Sequence, residues 1–242
     1  MGGGGGVILL VGATGNVGGY VAHRLGGRSG VRALVRSPAA AAAVAAKGIE
    51  PVAGDLARAE TLAPALAGVK SVLLVTPYTP DQAELECRFL DAAAGAGVEH
   101  VVKVAAREAA AGVEVAMTSS HRTVESHLAA LGVDHVNLVC DWFTSNYDEQ
   151  VELLRGGVLA FPHPEAPTAT VDVRDVADAA VACLEDRSVA EGRRTVLVTG
   201  PETLTFRQLG ERIAAGLPRP LELVEASIED WEGGLVMFGV PE

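Results

Sequence analysis

A glycine-rich segment near the N-terminus has the residue types and the spacing needed to bind phosphate groups. Gly12-Ala13-Thr14-Gly15-Asn16-Val17-Gly18 follows an apolar run at residues 7–11 and opens a segment with helical spacing at residues 16–25. Between a strand and a helix, the first glycine permits a tight turn, the second lets the backbone approach a pyrophosphate, and the third allows close packing of the helix. Free N–H groups at the helix start then face the phosphates. We predict a dinucleotide site formed by Gly12, Thr14, Gly15, Asn16, Val17 and Gly18.

An arginine follows the second predicted strand, at the place where dinucleotide-binding proteins distinguish their cofactors. An Asp or Glu about 20 residues after the loop accepts a hydrogen bond from the ribose 2′-OH of NAD, whereas an arginine accommodates the 2′-phosphate of NADP. The strand at residues 31–35 is followed by Arg36, and residues 1–49 contain five Lys and Arg but no Asp or Glu. Arg36 therefore predicts NADP(H) as the cofactor. The alternative is a solvated surface arginine.

Residues after the later strands could complete the cofactor site, because ligands bind at the carboxyl ends of strands in open α/β sheets. Asp55 and Leu56 follow the third predicted strand and are expected beside the adenine. Thr76 and Pro77 follow the fourth strand and are expected to line the ribose and nicotinamide. Lys103 lies at the end of the fifth strand, where it either reaches the cofactor or substrate or is an ordinary solvated lysine.

These residues depend on a repeating order of strands and helices. Short apolar runs, typical of strands buried on both faces, alternate with segments of helical spacing. We expect strands at residues 7–11, 31–35, 51–52, 71–75, 100–104 and 134–139, and helices at 16–25, 38–47, 60–67, 80–94 and 119–131. This order predicts an α/β fold with a doubly wound, six-stranded parallel Rossmann sheet.

The expected domain organisation has three parts. Residues 1–6 form a flexible glycine leader, residues 7–140 form the Rossmann core that binds NADP(H), and residues 141–242 form a small substrate-side subdomain integrated with the core. In this last part we predict helices at 146–154, 173–184 and 205–217, the third capped by Thr205, and strands at 194–198 and 221–224. The proline-rich residues 161–167 are predicted to be a loop, since proline is excluded from helix interiors and central strands.

The composition argues against several classes of partner. A formal net charge of −12 disfavours nucleic acid, whose binding requires clustered Lys and Arg. The chain has no signal sequence and no apolar stretch of about 18 residues, so we expect a soluble, cytoplasmic protein that does not enter a membrane. Cys87, Cys140 and Cys183 lie far apart and predict neither a disulfide framework nor a zinc site, and no metal is expected.

Taken together, the motifs resemble the NmrA-like branch of the atypical short-chain dehydrogenases over nearly the whole chain. The resemblance implies NAD(P)H-dependent reduction of quinones, other carbonyls or double bonds, or cofactor binding as a sensor. The matching segments are Gly12-Ala13-Thr14-Gly15-Asn16-Val17-Gly18, Val31-Arg32-Ala33-Leu34-Val35-Arg36, Gly54-Asp55-Leu56, Val75-Thr76-Pro77, His100-Val101-Val102-Lys103, His121-Arg122-x-x-Glu125, Val171-Asp172-Val173-Arg174-Asp175-Val176-Ala177 and Thr199-Gly200-Pro201-Glu202-x-Leu204-Thr205.

The chain departs from this family at the expected proton donor. Short-chain dehydrogenases use Y-x-x-x-K, but alignment on Glu125 places Met117 at the tyrosine position and His121 at the lysine position, and no Y-x-x-x-K occurs elsewhere. His121 is therefore the candidate catalytic residue, because an imidazole there could bond the nicotinamide ribose and exchange a proton near neutral pH. The alternatives are a ribose-binding or structural histidine, and half of a metal pair with Glu125 that lacks a third ligand.

Aromatic and amide side chains are the candidates for substrate binding. They are expected on loops over the nicotinamide, where a flat aromatic substrate could stack. Core packing is the alternative for Trp142 and Phe143. The candidates are Tyr78, Trp142, Phe143, Asn146 and Tyr147.

These features predict an NADPH-dependent reductase that transfers hydride to a small carbonyl or quinone substrate, for example an aromatic polyketide-type ketone, without the standard Tyr-Lys pair. The alternative is a regulator that senses NADP(H) and binds a protein partner without turnover. An epimerase or dehydratase of nucleotide sugars is disfavoured, since those reactions also rely on the missing Tyr and Lys. Either a monomer or a homodimer is compatible with the sequence.

Overall fold

A computed structural model describes residues 6–107, 116–161, 163–190 and 195–226 of the 242-residue chain. The predicted glycine leader up to residue 5, Pro162 of the proline-rich segment and residue 194 of a predicted strand lie outside these residues. The described residues form two compact units. One contains the residues up to Cys140 together with Val173–Val198, and the other contains the segments from Asp141 to Asp172 and from Thr199 onward.

The described strands and helices are numbered in chain order. The strands are β1 (Val7–Val11), β2 (Val31–Val35), β3 (Glu50–Ala53), β4 (Val69–Leu74), β5 (His100–Ala106), β6 (Asp134–Cys140), β7 (Val158–Phe161), β8 (Pro167–Thr168), β9 (Thr195–Val198), β10 (Leu204–Thr205) and β11 (Glu222–Glu225). The helices are α1 (Asn16–Arg24), α2 (Pro38–Ala45), α3 (Leu62–Ala65), α4 (Gln82–Gly95), α5 (Ala116–Leu131), α6 (Val151–Gly156), α7 (Val173–Glu185) and α8 (Phe206–Gly216).

A parallel sheet in the order β3-β2-β1-β4-β5-β6-β9 forms the centre of the first unit. Its central strands are apolar because helices cover both faces, and Leu9, Leu10 and Leu73 have no exposed surface. The chain order reverses between β1 and β4, and the register aligns Val11 with Leu74 and Leu74 with Lys103. The segments that follow β1, β4 and β5 therefore start at one edge of the sheet, at its topological switch point.

The structure confirms the predicted doubly wound α/β fold and corrects the number of strands. We expected six strands, but β9 pairs in parallel with β6 as a seventh. The helix that precedes β9 explains why β9 joins the sheet. Because α7 packs against α1 and the sheet, it acts as a crossover that returns the chain to the free edge of β6.

Helix α7 is fixed to the first unit by polar contacts as well as by its apolar face. Arg24 Nε lies 2.6 Å from an oxygen of Asp178, and Arg28 pairs with Glu185. His100 Nε2 lies 3.2 Å from the carbonyl oxygen of Cys183. The segment at residues 173–198, which the sequence analysis placed on the substrate side, therefore belongs to the compact unit of the sheet.

The second unit contains two small sheets and an aromatic cluster. Strands β7 and β11 pair in parallel, and β8 and β10 pair antiparallel. Helix α8 begins with a capping box in which Thr205 and Gln208 bond each other's backbone N–H, as the predicted cap requires. The helix predicted at 146–154 is instead a 3-10 segment, Thr144–Gln150, followed by α6. None of the described helices has the length and apolar character needed to cross a membrane.

A buried carboxylate organises the start of the second unit. One oxygen of Asp141 accepts hydrogen bonds from Trp142 N at 2.7 Å and from Thr168 Oγ1 at 2.9 Å. The other oxygen accepts from Ala169 N at 3.0 Å. Asp141 is nearly inaccessible to solvent, so these protein donors replace its water shell. The carboxylate therefore holds the segment after β6 against the segment that begins with β8.

We predict that Asp141→Ala lowers the free energy of unfolding by about 3 kcal/mol, because three buried donors lose their acceptor. Urea unfolding measures the change. Asp91→Ala is the control, since the Asp91 carboxylate bonds His127 Nε2 at 2.7 Å on an exposed surface and its removal should change the free energy by less than about 1 kcal/mol. Equal effects of the two substitutions would contradict the role given to Asp141.

Candidate active site

The turn after β1 requires glycine at its first position. Gly12 has a φ of +87°, a conformation that other residues rarely adopt. A Cβ at Gly12 would also collide with the backbone carbonyl of Val75, just after β4. Gly15 N donates to Gly12 O at 3.0 Å and closes the turn. Gly12 therefore places the loop directly against the neighbouring strand, as the spacing predicted.

The other two glycines of the loop differ in what surrounds them. A Cβ at Gly18 would collide with the carbonyl of Gly12, so Gly18 allows α1 to pack on the loop. A Cβ at Gly15 would meet only Gly12 O at 3.5 Å, which leaves open space above the backbone. Gly15 is the N-cap of α1 without a side-chain cap, and the first turn of α1 contains no acidic residue. The uncapped N–H groups and the open space suit a pyrophosphate.

The remaining loop residues divide between the open side and the core. Thr14 and Asn16 are exposed beside Gly15, where their polar groups can reach a ligand. The Val17 side chain is buried in the core, so only its backbone N–H can face a phosphate. The described loop therefore fits the phosphates of a dinucleotide.

Arg36 differs from the other cations of the N-terminal segment. Arg24, Arg28 and Arg32 each pair with a carboxylate, and Lys47 Nζ donates to Gly19 O at 3.0 Å. Arg36 is exposed, and no carboxylate in the described part of the chain pairs with it. Ser37 caps α2 immediately after it, which fixes where the chain turns away from β2. Arg36 is thus the cation of this segment with its charge available to an anionic ligand.

The side chains of Asp55 and Leu56, which follow β3, already make contacts within the protein. One oxygen of Asp55 accepts from Ala57 N at 3.0 Å, and the other lies 3.8 Å from Arg58 Nε. Leu56 packs against the core of the first unit. Their placement beside an adenine stays a prediction.

The hydroxyl group of Thr76, just after β4, is held by helix α4. Thr76 Oγ1 donates its hydrogen to Glu86 Oε1 and accepts from Gln82 Nε2 at 3.2 Å. The same Gln82 nitrogen lies 3.2 Å from Glu86 Oε1. A hydroxyl has a single hydrogen, so Thr76 can offer a ligand only an acceptor lone pair. Pro77 is exposed and Tyr78 is half-buried beside it.

Lys103 is enclosed and paired instead of solvated. Its side chain has no exposed surface, and Nζ lies 2.7 Å from Glu86 Oε2, which is equally enclosed. Nζ also lies 3.4 Å from His121 Nδ1 on α5 and 3.4 Å from Val104 O. The alternative of an ordinary solvated lysine is therefore wrong. Direct contact of Lys103 with the cofactor or substrate stays a prediction.

His121 stays neutral over the physiological pH range. The pKa of its imidazole is lowered to about 4, mainly by burial and next by the positive charge of Lys103, while the negative charge of Glu86 opposes both. The expectation that His121 exchanges a proton near neutral pH is therefore wrong. A neutral imidazole retains one N–H, so His121 can still donate a hydrogen bond.

Comparison with known proteins agrees with this arrangement. The model of the NmrA-like family matches residues 5–237. The chain belongs to the NmrA-like family. It is 30% identical to an NAD(P)H azoreductase of Xenophilus azovorans over 238 residues, which cover 98% of this chain and 82% of the relative. It is 38% identical over 229 residues to a (4-alkanoyl-5-oxo-2,5-dihydrofuran-3-yl)methyl phosphate reductase of Streptomyces griseus, covering 92% of this chain and 78% of the relative.

A solved structure of the NADPH-dependent quinone oxidoreductase QOR2 of Escherichia coli, in complex with NADPH, has the same fold as this NmrA-like chain. The TM-score is 0.83 at 26% sequence identity, and the match covers 97% of this chain and 84% of the other. The similarity therefore extends beyond the loop and the sheet to nearly the whole length.

The substrate candidates of this NmrA-like chain are divided between the two units. Tyr78 belongs to the first unit, and the other four belong to the second. Trp142 packs edge-to-face on Phe206, with ring centroids 5.6 Å apart, and Tyr147 packs on Phe161 at 6.1 Å. The alternative of core packing therefore applies to Trp142, and it extends to Tyr147, whose pKa is raised by burial.

The remaining two substrate candidates are less enclosed. Phe143 forms a backbone bridge with Val171, and its side chain is half-buried. Asn146 is also half-buried, and its N–H bonds the carbonyl of Phe143 at 3.1 Å. Contact of either residue with a substrate stays a prediction.

Sequence reasoning missed Gln82 and Glu86, although a signal for them exists. Both lie on the buried face of α4 with Phe89, Leu90 and Ala93, at helical spacing. A polar residue on an otherwise apolar helix face needs a buried partner. The spacing marks Glu86 as unusual, but the sequence gives no means of choosing its partner. Met117 occupies the family's tyrosine position in α5, and its side chain lies outside the described part.

We predict that Gly15→Ala leaves the free energy of unfolding within about 0.5 kcal/mol of its original value, because the methyl group meets open space. The same methyl group should weaken NADPH binding about tenfold or more, because it occupies the approach of the pyrophosphate. Fluorescence titration with NADPH measures the affinity. Gly95→Ala, at the end of α4 with no neighbour within 4 Å, is the control that should leave binding unchanged. Unchanged binding in Gly15→Ala would refute the assignment of the loop.

Proposed function

We propose that this NAD(P)H-dependent oxidoreductase uses NADPH to reduce a small conjugated acceptor, such as a quinone or an activated aromatic ketone. The observation that carries the proposal is a glycine loop open to phosphates together with an exposed Arg36 that pairs with no described carboxylate, combined with a neutral histidine in place of the family's lysine. The loop and Arg36 support a conventional cofactor site. The neutral histidine restricts the kind of acceptor that can be reduced.

NADP(H) is the cofactor, and the described residues suit each of its charged groups. Uncapped N–H groups of α1 would bind the pyrophosphate. Arg36 would bind the 2′-phosphate, because its guanidinium is exposed and no described carboxylate neutralises it. When bound, NADPH supplies the hydride, so the protein is required to position the acceptor and stabilise the charge that develops on it.

The residues at the catalytic end favour an acceptor that needs no strong acid. His121 is neutral at pH 7 and can donate a hydrogen bond, but it cannot act as an imidazolium acid. The Lys103 ammonium is committed to Glu86. After hydride addition the acceptor carries a negative charge, which conjugation spreads over several atoms until water supplies the proton. An isolated ketone would concentrate that charge on one oxygen and would need a dedicated proton donor.

The relatives support this class of acceptor. Their names refer to an azo group, to a quinone and to an unsaturated lactone that carries a second carbonyl group. Each of these substrates has a conjugated, electron-poor π-system. The three differ in shape, which agrees with a family that preserves the cofactor end and varies the acceptor.

The second candidate function is a regulator that binds NADP(H) and a protein partner without turnover. The observation that favours it is the missing Y-x-x-x-K pair, since all three tyrosines have other residues four positions on. The two functions differ in one measurable respect, which is consumption of NADPH in the presence of an acceptor.

We predict that the protein oxidises NADPH with quinones, azo dyes and α,β-unsaturated lactones, and reduces cyclohexanone at least about 100-fold more slowly, because an unactivated ketone lacks its general acid here. Absorbance of NADPH follows the reaction, and product analysis gives one quinone or lactone reduced per NADPH and one azo bond cleaved to two amines per two NADPH. NADPH binding without consumption for any acceptor would establish the regulator. Equal rates with cyclohexanone and quinones would contradict the proposed acceptor class.

We predict that Arg36→Ala raises the KM for NADPH about tenfold or more and leaves the KM for NADH unchanged, because only NADPH carries the 2′-phosphate. Initial rates with both cofactors measure the preference. Arg24→Ala is the matched control, since it removes the same charge from a guanidinium already paired with Asp178. A preference that Arg36→Ala does not alter would show that another residue binds the 2′-phosphate.

A further inference from the structure

We infer that the buried Lys103–Glu86 ion pair is a positioning device for His121: it holds the imidazole in the tautomer that carries its hydrogen on Nε2. This inference rests on the proposed function in one respect, because Nε2–H is then the donor to the oxygen on which negative charge develops. The tautomer itself is a property of the protein without substrate.

The geometry of Lys103 decides which nitrogen of His121 carries the hydrogen. Its ammonium group has no access to solvent and three neighbouring acceptors, which are a carboxylate oxygen of Glu86, Nδ1 of His121 and the carbonyl of Val104. An ammonium group has hydrogens and no lone pair, so it can only donate. His121 Nδ1 must therefore accept, which excludes a hydrogen on Nδ1. The hydrogen of the neutral ring lies on Nε2.

The other nitrogen of the imidazole, Nε2, is available to a ligand. His121 is half-buried, and within the described residues its Nε2 has no hydrogen-bond partner. A donor that is fixed in orientation and not occupied by protein is suited to a ligand oxygen. The contact with Lys103 on the opposite nitrogen fixes the ring, in the way that a second residue orients many catalytic histidines.

Glu86 supplies the charge that the enclosed Lys103 ammonium needs. A buried ammonium has lost its water shell, and a carboxylate at close range compensates for that loss. Glu86 provides it at 2.7 Å, while its other oxygen accepts from Thr76 and Gln82. The carboxylate therefore joins the loop after β4 to β5 and, through Lys103, to α5. His121 and Thr76, two residues proposed to face the ligand, are the two ends of one buried network.

The charged groups around His121 determine how its pKa should respond to substitutions. Lys103 faces it from β5 and Glu86 faces it from α4. On its own helix, Glu125 lies one turn further on. Its pKa is raised, because the effect of burial exceeds the opposing effects of Lys103, His135 and Arg122. Removing Lys103 should raise the pKa of His121 from about 4 without reaching 6.5, because burial remains. Removing the charge of Glu86 should lower it further.

Long-range ¹H–¹⁵N NMR spectra of the histidine rings test the inference on the full-length protein without ligand. In the original protein His121 should show a protonated Nε2 and an unprotonated Nδ1 from pH 5 to 8. In Lys103→Met the Nδ1 atom loses its donor, so both tautomers should appear and the pKa should rise. In Glu86→Gln the pKa should fall, so the two substitutions should move the pKa of His121 in opposite directions.

The double variant Lys103→Met/Glu86→Gln keeps the test valid if either single variant fails to fold, because it leaves no buried charge unpaired. It should again show mixed tautomers. Lys70→Met is the control, since Lys70 forms an exposed pair with Glu99 at 2.8 Å and should leave the His121 spectrum unchanged. A hydrogen on Nδ1 in the original protein, or an unaltered tautomer in both variants that lack Lys103, would overturn the inference.

Steady-state kinetics connects the tautomer to turnover. With a quinone acceptor, Lys103→Met should lower kcat about tenfold while the KM for NADPH changes less than about twofold, because the donor is misplaced and the phosphate contacts are kept. If the protein has no reductase activity, the NMR result still stands and only the proposed function fails. A mixed tautomer with unchanged kcat would show that Nε2–H does not serve the reaction.

Discussion

A lysine ammonium that has no contact with water must be neutralised where it lies, and this constraint arranges the catalytic end of the protein. Lys103 comes from the centre of the sheet, and the carboxylate that neutralises it comes from the helix before, Glu86 of α4. The pair requires α4 to present Glu86 to the carboxyl end of β5 and requires α5 to bring His121 beside it. Replacing such a pair with apolar residues is often neutral or favourable for stability, so stability alone does not account for the presence of the pair.

Different interactions fix the geometry of the cofactor end and of the catalytic end. At the cofactor end, two backbones approach so closely that Gly12 and Gly18 cannot carry a Cβ, and the ligand side of Gly15 is left open. This geometry depends on the absence of side chains. At the catalytic end, the geometry depends on the buried charges of Lys103 and Glu86. If the Lys103 donor is displaced, the nitrogen of His121 that carries the hydrogen changes.

Reduction without a tyrosine acid is chemically reasonable for this family member. A conjugated acceptor distributes the charge that follows hydride addition, so an oriented neutral donor can replace an acid whose pKa matches the medium. The low pKa of His121 has the further effect that its hydrogen-bonding role does not change between pH 5 and 8. Sequence similarity to reductases of chemically different acceptors agrees with a site that stabilises delocalised charge in general.

The sequence alone determined the cofactor, the fold class and the family. The reason is that phosphate binding by a strand, a glycine turn and a helix is local in the chain, and that Arg36 is set by its distance along the next strand. The same reasoning could flag polar Gln82 and Glu86 on an apolar helix face, because helical periodicity is also local. It could not place β9 beside β6, since the crossover helix α7 is fixed by contacts with Arg24 and Arg28 about 150 residues away.

Only the tertiary structure decided what Lys103 and His121 are. From the sequence Lys103 was either a ligand contact or a solvated lysine, and it is not solvated, because its enclosed ammonium pairs with Glu86 from another element. From the sequence His121 was expected to exchange protons near neutral pH, and burial together with the charge of Lys103 prevents this. The pKa and tautomer of a side chain depend on which charges lie within a few ångströms and on how much water is excluded, and folding alone sets both.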